Sequence, residues 1–198
     1  HILVHRMQFT HHKTILSGQQ KIAKICALAW SNNNRRLAVA DTNRLIHLFD
    51  DNGDKRDRFA TKAHDSNAPK TYLIRGLAFS PDSAKLAVAQ SDNIVYIYKL
   101  GIEWGFRKTI ICKFLHTTSV TCVTWPIKRL NDVVFGCADG KVKIGDLRRR
   151  KPVTLYNTES LCVSVASAPN GQAVVSGHLD GSIYRFFFED VDDSGLIG

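Results

Sequence analysis

The chain has 198 residues, 44% of them hydrophobic and 9% aromatic, which is enough to build a buried core and too apolar for a disordered polymer. Lys and Arg number 27 against 18 Asp and Glu, a formal net charge of +9, so acidic proteins, nucleic acids and anionic lipid surfaces are the expected partner classes. No stretch reaches the roughly 18 consecutive apolar residues of a membrane-spanning helix, and residues 1–16 lack the apolar segment of a signal peptide.

The cysteines stand far apart, are odd in number and include no Cys-x-x-Cys pair, so they predict neither a disulfide framework nor a zinc ribbon. We expect them to be small core residues of a protein in a reducing compartment. They are Cys26, Cys112, Cys122, Cys137 and Cys162.

Four segments along the chain alternate apolar with small or polar residues at a period of two, which is typical of β-strands. They cover residues 25–30, 74–79, 120–125 and 162–167. Their last residues are 49, 46 and 42 positions apart, close to the roughly 40–45 residues of a four-stranded propeller blade. The sequence therefore predicts a strand that opens each of four repeats.

A polar turn and a second apolar run follow each opening strand, over residues 37–40, 86–89, 133–137 and 173–176. A second turn comes next in each copy, at Thr42-Asn43, Asp92-Asn93, Asp139-Gly140 and Asp180-Gly181, where we expect type I′ hairpins. Third strands are predicted over residues 45–49, 94–98, 142–144 and 183–187. Weaker fourth strands, over 56–61, 109–115 and 153–156, suit charged outer edges. The fold class is therefore all-β, built of antiparallel meanders.

This layout resembles the WD40 repeat over residues 7–188. The fullest copy runs from His116 to Trp125 and continues through Asp139-Gly140 to Gly145-Asp146. The resemblance implies a WD40 β-propeller with blade repeats near 24–61, 72–115, 119–156 and 161–188. About four blades of an incomplete propeller are expected, because the family normally uses about seven. Residues 7–198 would then form the N-terminal part of that propeller.

His116 occupies the position of the family's Gly-His histidine, so the resemblance implies its His-to-Asp hydrogen bond for the third copy. The family's Trp-Asp pair is altered in every copy, because Phe49, Tyr98, Gly145 and Phe186 stand at the Trp position. Only Asp50 and Asp146 keep the Asp.

Longer strings, including residues 78–87, 90–98 and 176–181, resemble the N-terminal propellers of an intraflagellar transport complex B subunit. The resemblance implies a non-enzymatic interaction scaffold for cilium or flagellum assembly and cargo transport. Its partners would be other complex B subunits, with an anionic membrane surface as a further contact and no nucleic acid, small-molecule substrate or cofactor. It implies a place in the cilium or flagellum and the basal body, with a cytoplasmic pool. Such proteins begin at the position of Met7, so residues 1–6 are expected to be a non-native leader and residues 8–16 a first strand.

The sequence offers three combinations of residue types used in catalysis or metal binding, and none has the spacing that such a site needs. Ser176, His178 and Asp180 are two positions apart on one strand, so they are expected to be strand-end and turn residues rather than a catalytic triad. The adjacent His11 and His12 diverge on a strand, and the Cys112 and His116 spacing lacks a second pair for zinc. We therefore predict that the chain is not an enzyme and holds no metal.

Basic residues of the predicted turns are the main candidates for binding. In a propeller, the connections that carry them project from the same, bottom, face, while residues 61–70 form a loop on the opposite face. Trp104, in the insertion 101–105, either anchors a partner or covers its own blade edge. The alternative function is a basic propeller that binds RNA or anionic phospholipid directly. The candidate residues are Arg35, Arg36, Arg56, Arg58, Trp104, Arg148, Arg149, Arg150 and Lys151.

Overall fold

A computed structural model describes residues 10–17, 23–65, 67 and 71–188, and every regular element in these residues is a β-strand. The first sheet holds β1 (Ile25–Trp30), β2 (Leu37–Asp41), β3 (Leu45–Phe49) and β4 (Lys55–Ala60). The second holds β5 (Ile74–Phe79), β6 (Lys85–Gln90), β7 (Ile94–Lys99) and β8 (Thr109–Leu115). The third holds β9 (Val120–Thr124), β10 (Asp132–Cys137), β11 (Lys141–Asp146) and β12 (Lys151–Asn157). The fourth holds β13 (Cys162–Ser167), β14 (Ala173–His178) and β15 (Ile183–Phe187).

Each sheet is an antiparallel meander in which sequence neighbours are hydrogen-bonded neighbours, as the repeat predicts. The opening strands β1, β5, β9 and β13 contact one another in that order, so the four sheets stand side by side like blades. We call them the first to fourth blades. The all-β prediction is confirmed, and no helix long and apolar enough to cross a membrane occurs among the residues described.

The core lies between neighbouring blades rather than within one. Ile46 of the first blade and Leu86 of the second are fully buried in one cluster, and Val95 and Phe135 join the second blade to the third. Val174 belongs to a smaller cluster between the third and fourth blades. Burying each such side chain contributes roughly 1.5–3 kcal/mol, so the blades stabilise one another through their faces.

The second turn of each blade differs from the predicted type I′ hairpin, which needs positive φ at two residues. One residue in each turn has positive φ, and in the first blade it is Arg44 (φ 66°) rather than Asn43. The Arg44 N–H donates to the Asp41 carbonyl at 3.0 Å, and the Asp41 carboxylate accepts from the N–H groups of Asn43 and Leu45. These are three-residue turns closed by one left-handed residue. The others are Asn93, Gly140 and Gly181.

The segment 10–17 lies on the first blade but contains no strand, so the first strand expected over 8–16 is not found in its described part. Leu16 packs on Leu37 and Phe49, and the Lys13 ammonium lies 2.6 Å from an Asp54 carboxylate oxygen. The segment has side-chain contacts in place of a hydrogen-bonded strand partner. Residues 1–9, which include the expected leader, lie outside the described residues.

Candidate interaction surface

The connections between first and second strands, and between third and fourth strands, all lie at one end of their blades. We call this end the base face. Arg35 and Arg36 lie in the β1–β2 turn, Trp104 lies in the β7–β8 connection, and residues 148–150 lie in the β11–β12 connection. Lys151 begins β12, while Arg56 and Arg58 lie on β4. The candidate residues therefore come from three blades.

Trp104 and Arg36 join the second blade to the first. The Arg36 guanidinium donates to the carbonyls of Gly101 and Ile102, and it lies over the Trp104 ring, 4.7 Å from the centroid. Burial lowers the pKa of Arg36. Trp104 thus contacts an arginine of the neighbouring blade with 36% of the residue still exposed, and its role as a partner anchor stays a prediction.

Acidic side chains neutralise much of the first blade's base. Arg56 Nε lies 2.6 Å from an Asp50 carboxylate oxygen, and Lys108 of the β7–β8 connection pairs with Asp57. Burial raises the pKa of Asp57, but hydrogen bonds from Lys108 and from the N–H groups of Arg58 and Gly105 lower it overall. Arg36 and Lys108 therefore join the first two blades, and Arg56 is paired within the first.

The third blade has the opposite charge at the same place. An aspartate, Asp50 or Asp146, caps each connection. After it, residues 51–54 of the β3–β4 connection contain two aspartates and no cation. The equivalent β11–β12 connection, residues 147–150, contains three arginines and no acid. The turn between β9 and β10, residues 125–131, adds Lys128 and Arg129. Positive charge on the base face is therefore concentrated in the third blade.

A groove runs along this basic end between the third and fourth blades. Arg129 Nη1 lies 3.2 Å from an Asp132 carboxylate oxygen, and its guanidinium carbon is 4.0 Å from the centroid of the Phe188 ring. With the Asn131 oxygen turned towards Arg148, it accepts from Nε and Nη2 at 2.9 Å. The groove is lined by Lys128, Arg129, Leu130, Asn131, Asp132, Asp146, Arg148, Gly171, Gln172 and Phe188.

Two local features hold the groove in shape. The Trp125 indole N–H donates to the Arg129 carbonyl at 2.9 Å, which fixes the irregular link after β9. Gly171 has a φ of 71°, and a Cβ there would lie 2.9 Å from the Lys128 backbone nitrogen, so only glycine allows this approach of the blades. Lys128 and Arg129 were not among the candidate residues predicted from sequence. The feature that could have indicated them is that they are adjacent basic residues in the irregular β9–β10 turn.

Arg149, Arg150 and Lys151 lie beside this groove and not in its lining. The side chain of Arg149 is 84% exposed and its Nε lies 3.6 Å from an Asp146 carboxylate oxygen. Arg150 has a φ of 55° and lies next to β8 of the second blade, near Cys112. We call Lys128, Arg129, Arg148, Arg149, Arg150 and Lys151 the third-blade basic cluster.

The loop on the opposite face is described over residues 61–65 and 67, and its other residues lie outside the described part. The Thr61 hydroxyl lies 2.9 Å from the Tyr72 hydroxyl, and the Tyr96 hydroxyl donates to the Ala63 carbonyl at 3.1 Å. The His64 N–H donates to Asp92. The start of this loop is therefore attached to the second blade.

Ser176 and His178 do contact each other, with Oγ and Nε2 2.8 Å apart. Both are buried, and the Tyr156 hydroxyl donates to the same Ser176 oxygen at 2.6 Å. The other nitrogen of His178 faces the Ser160 carbonyl at 2.8 Å, while the Asp180 carboxylate accepts from Ser182. The three residues therefore form a buried structural network and its adjoining turn, without an aspartate behind the histidine.

The histidine–aspartate pairing expected in the third blade is not present there. His116 packs 4.6 Å from Phe135 between ring centroids, and both of its ring nitrogens are buried without a partner in the described residues. Burial lowers the pKa of His116 to about 4. A histidine–aspartate contact of a different kind occurs in the first blade, where Nε2 of His47, on β3, lies 2.9 Å from an Asp41 carboxylate oxygen.

No group of three or more metal-binding side chains occurs within the described ranges.

Comparison with known proteins identifies the repeats. The family described as "WD domain, G-beta repeat" matches residues 8–50 and 59–99. The chain is 44% identical over 185 residues to "Intraflagellar transport protein 172 homolog" of Mus musculus, covering 93% of the chain and 10% of that protein. It is 50% identical over 186 residues to "Intraflagellar transport protein 172" of Chlamydomonas reinhardtii, covering 92% and 11%. It is 38% identical over 191 residues to "Intraflagellar transport protein osm-1" of Caenorhabditis elegans, covering 96% and 11%. The chain thus spans about a tenth of the length of these relatives.

Proposed function

Because the chain carries WD40 repeats and is similar over nearly its whole length to proteins named intraflagellar transport protein 172, we propose that it is an interaction scaffold of intraflagellar transport. In this proposal it is not an enzyme, and it acts in the cilium or flagellum, with basal-body and cytoplasmic pools. Its partners are other subunits of the transport complex B. The blades supply rigid positions for connections whose side chains select the partner.

The observation that carries the proposed binding surface is the charge difference between equivalent connections. After the aspartate that caps each connection, the first blade presents Asp51 and Asp54 where the third blade presents three arginines. An acidic segment of a partner would meet attraction at the third blade and repulsion at the first. We therefore assign the partner contact to the third-blade basic cluster and the groove beside it.

The contact can be tested in the full-length protein by reversing two exposed charges. Arg149→Glu with Lys151→Glu leaves the Arg148 and Arg129 contacts of the groove in place. Lys24→Glu with Lys113→Glu is the matched control, since it changes the net charge equally at exposed positions outside the base face. We expect about tenfold weaker binding of complex B subunits for the first variant, equivalent to about 1.4 kcal/mol, and unchanged binding for the control.

Equal loss of binding in both variants would reduce the effect to overall charge and refute the assignment of the surface. Unchanged binding in both would refute it as well. If the purified full-length protein retains no complex B subunit at all, the scaffold proposal itself fails.

A second candidate rests on the same run of cations, because Arg148, Arg149, Arg150 and Lys151 stand together without an acid in their connection. Such a run suits the phosphates of RNA or anionic phospholipid. The logarithm of the binding constant for single-stranded RNA would then fall linearly with the logarithm of salt concentration, and binding to phosphatidylserine vesicles would weaken with salt as well. Salt also weakens the proposed contact with an acidic protein segment, so the titration alone does not separate the two functions. They are separated by what the purified full-length protein retains at low salt, complex B subunits or RNA and vesicles.

A further inference from the structure

Two cysteine side chains meet at the contact between the third and fourth blades. Cys122 lies on β9 and Cys162 opens β13, so each belongs to the innermost strand of its blade. Their Sγ atoms are 3.7 Å apart, and both cysteines are unbridged. A disulfide needs about 2.05 Å between sulfurs, so the pair closes with a shift of under about 2 Å.

Neighbouring residues hold the two thiols in this position. Gly136 pairs with Cys122 across the β9–β10 ladder, and a Cβ on that glycine would overlap both sulfur atoms. The Thr121 hydroxyl donates to the Cys162 carbonyl at 2.5 Å, which ties β9 to β13 beside the sulfurs. The thiol contact is therefore part of how the two blades pack.

The two thiols differ in exposure and acidity. Cys162 is fully buried, whereas Cys122 is partly exposed. The hydrogen bond between them lowers the pKa of Cys122 to about 7 and raises the pKa of Cys162. Burial raises the pKa of Cys137, on the neighbouring strand, to about 11. Since the thiolate is the nucleophile, Cys122 is the thiol of this group that reacts first.

We propose that Cys122 and Cys162 form a reversible redox site, in which a low-molecular-weight disulfide oxidises the pair to a bond that joins the third and fourth blades. The Cys122 thiolate attacks one sulfur of the oxidant, forming a mixed disulfide and releasing one thiolate. Cys162 loses its proton and attacks the Cys122 sulfur, which releases the second thiolate. Two protein thiols are oxidised and one disulfide is reduced to two thiols, and the leaving thiolates take up the two protons.

The sequence makes the site easy to read by mass spectrometry, because trypsin places each of the five cysteines in a different peptide. Cys122 falls in peptide 114–128 and Cys162 in peptide 151–185. The full-length protein is equilibrated in glutathione buffers from fully reduced to fully oxidised, quenched in acid and alkylated in denaturant. We expect peptides 114–128 and 151–185 to be lost together into one cross-linked species, and dithiothreitol to restore both.

Two cysteine variants complete the test. Cys122→Ser is expected to abolish the cross-link, while Cys137→Ser, a matched change on the next strand, is expected to retain it. A glutathione adduct on Cys122 with Cys162 left free would overturn the proposal, as would a bond from Cys122 to Cys137. So would two thiols that remain alkylatable in every buffer that oxidises the unfolded protein. Amide exchange of peptide 114–128 under reducing conditions checks that both variants are folded.

Discussion

His116 makes the third blade sensitive to acid, and replacing it with phenylalanine is expected to remove that sensitivity. Its two ring nitrogens are buried without partners in the described residues, and the positive charge of Lys143 further disfavours protonation, while the negative charge of Asp139 opposes this less strongly. Burial lowers its pKa from 6.5 to about 4. Phenylalanine has a similar shape and can keep the contact with Phe135 without a group that ionises.

The sign and size of the effect follow from the difference in protonation between folded and unfolded states. Between pH 6.5 and pH 4 the unfolded chain holds a proton on His116 that the folded blade does not, so stability rises with pH in this window. The stability that comes from keeping His116 neutral is fully present above pH 6.5 and is lost as the pH falls towards 4. With these two pKa values, lowering the pH from 7.5 to 5 costs about 2 kcal/mol, or about thirtyfold in the opening equilibrium.

Amide exchange measured by mass spectrometry on the full-length protein reports this equilibrium locally. Protection in strands β8 to β10, corrected for the intrinsic pH dependence of exchange, should fall about thirtyfold from pH 7.5 to 5 in the wild type. In His116→Phe the same strands should lose much less protection. An equal pH dependence in the two proteins would refute the assignment of the acid sensitivity to His116.

Two further changes test the packing around the blades. Gly145→Ala would place a Cβ 2.6 Å from the Phe114 ring, so we expect it to destabilise the third blade by about 1–3 kcal/mol. The loss is measured as reduced amide protection in β11. Gly177→Ala is the control, because its Cβ would meet only the Ser164 hydroxyl, at 3.2 Å, and should destabilise less. Lys108→Met leaves the partly buried Asp57 without its cation, and amide exchange should rise in both β4 and the β7–β8 connection by an amount equivalent to about 1–3 kcal/mol. A rise confined to the β7–β8 connection would contradict the role of this pair in joining the two blades.

The order and approximate limits of the strands could be predicted from sequence, because the apolar alternation and the turn residues recur with one period. The turn geometry could not. Arg44 adopts positive φ because the Asp41 carboxylate organises the turn before it, and nothing in the Thr42-Asn43 pair signals this. Local side-chain hydrogen bonds decide between turn types that share the same composition.

The position of the candidate site could be predicted from sequence, but the pairing of its charges could not. Sequence topology places the basic connections at one end of the blades, but it does not show which cations are already paired. Arg36 and Arg56 look like Arg149 in sequence. Their guanidinium groups bind carbonyls of the second blade and Asp50 at hydrogen-bond distance, whereas the Arg149 side chain is 84% exposed and lies 3.6 Å from Asp146. Lys128 and Arg129 were missed because their significance depends on Gly171 bringing the fourth blade against them.

Comparing equivalent connections in two blades separates the residues that the fold requires at the base face from those that it does not. Residues 50–54 and 147–150 connect the same two strands of equivalent antiparallel sheets, so the backbone demands on them are closely related. The Asp50 carboxylate accepts hydrogen bonds from the N–H groups of Asn52 and Asp54. The Asp146 carboxylate likewise accepts from those of Arg148 and Arg149, so the same aspartate cap precedes residues 51–54 and 147–150. The residues that follow the cap then carry opposite charge. The aspartate cap supplies the hydrogen bonds that the backbone needs in both blades, so the fold does not require arginine at the positions after it. The three arginines of the third blade therefore fit a role in binding.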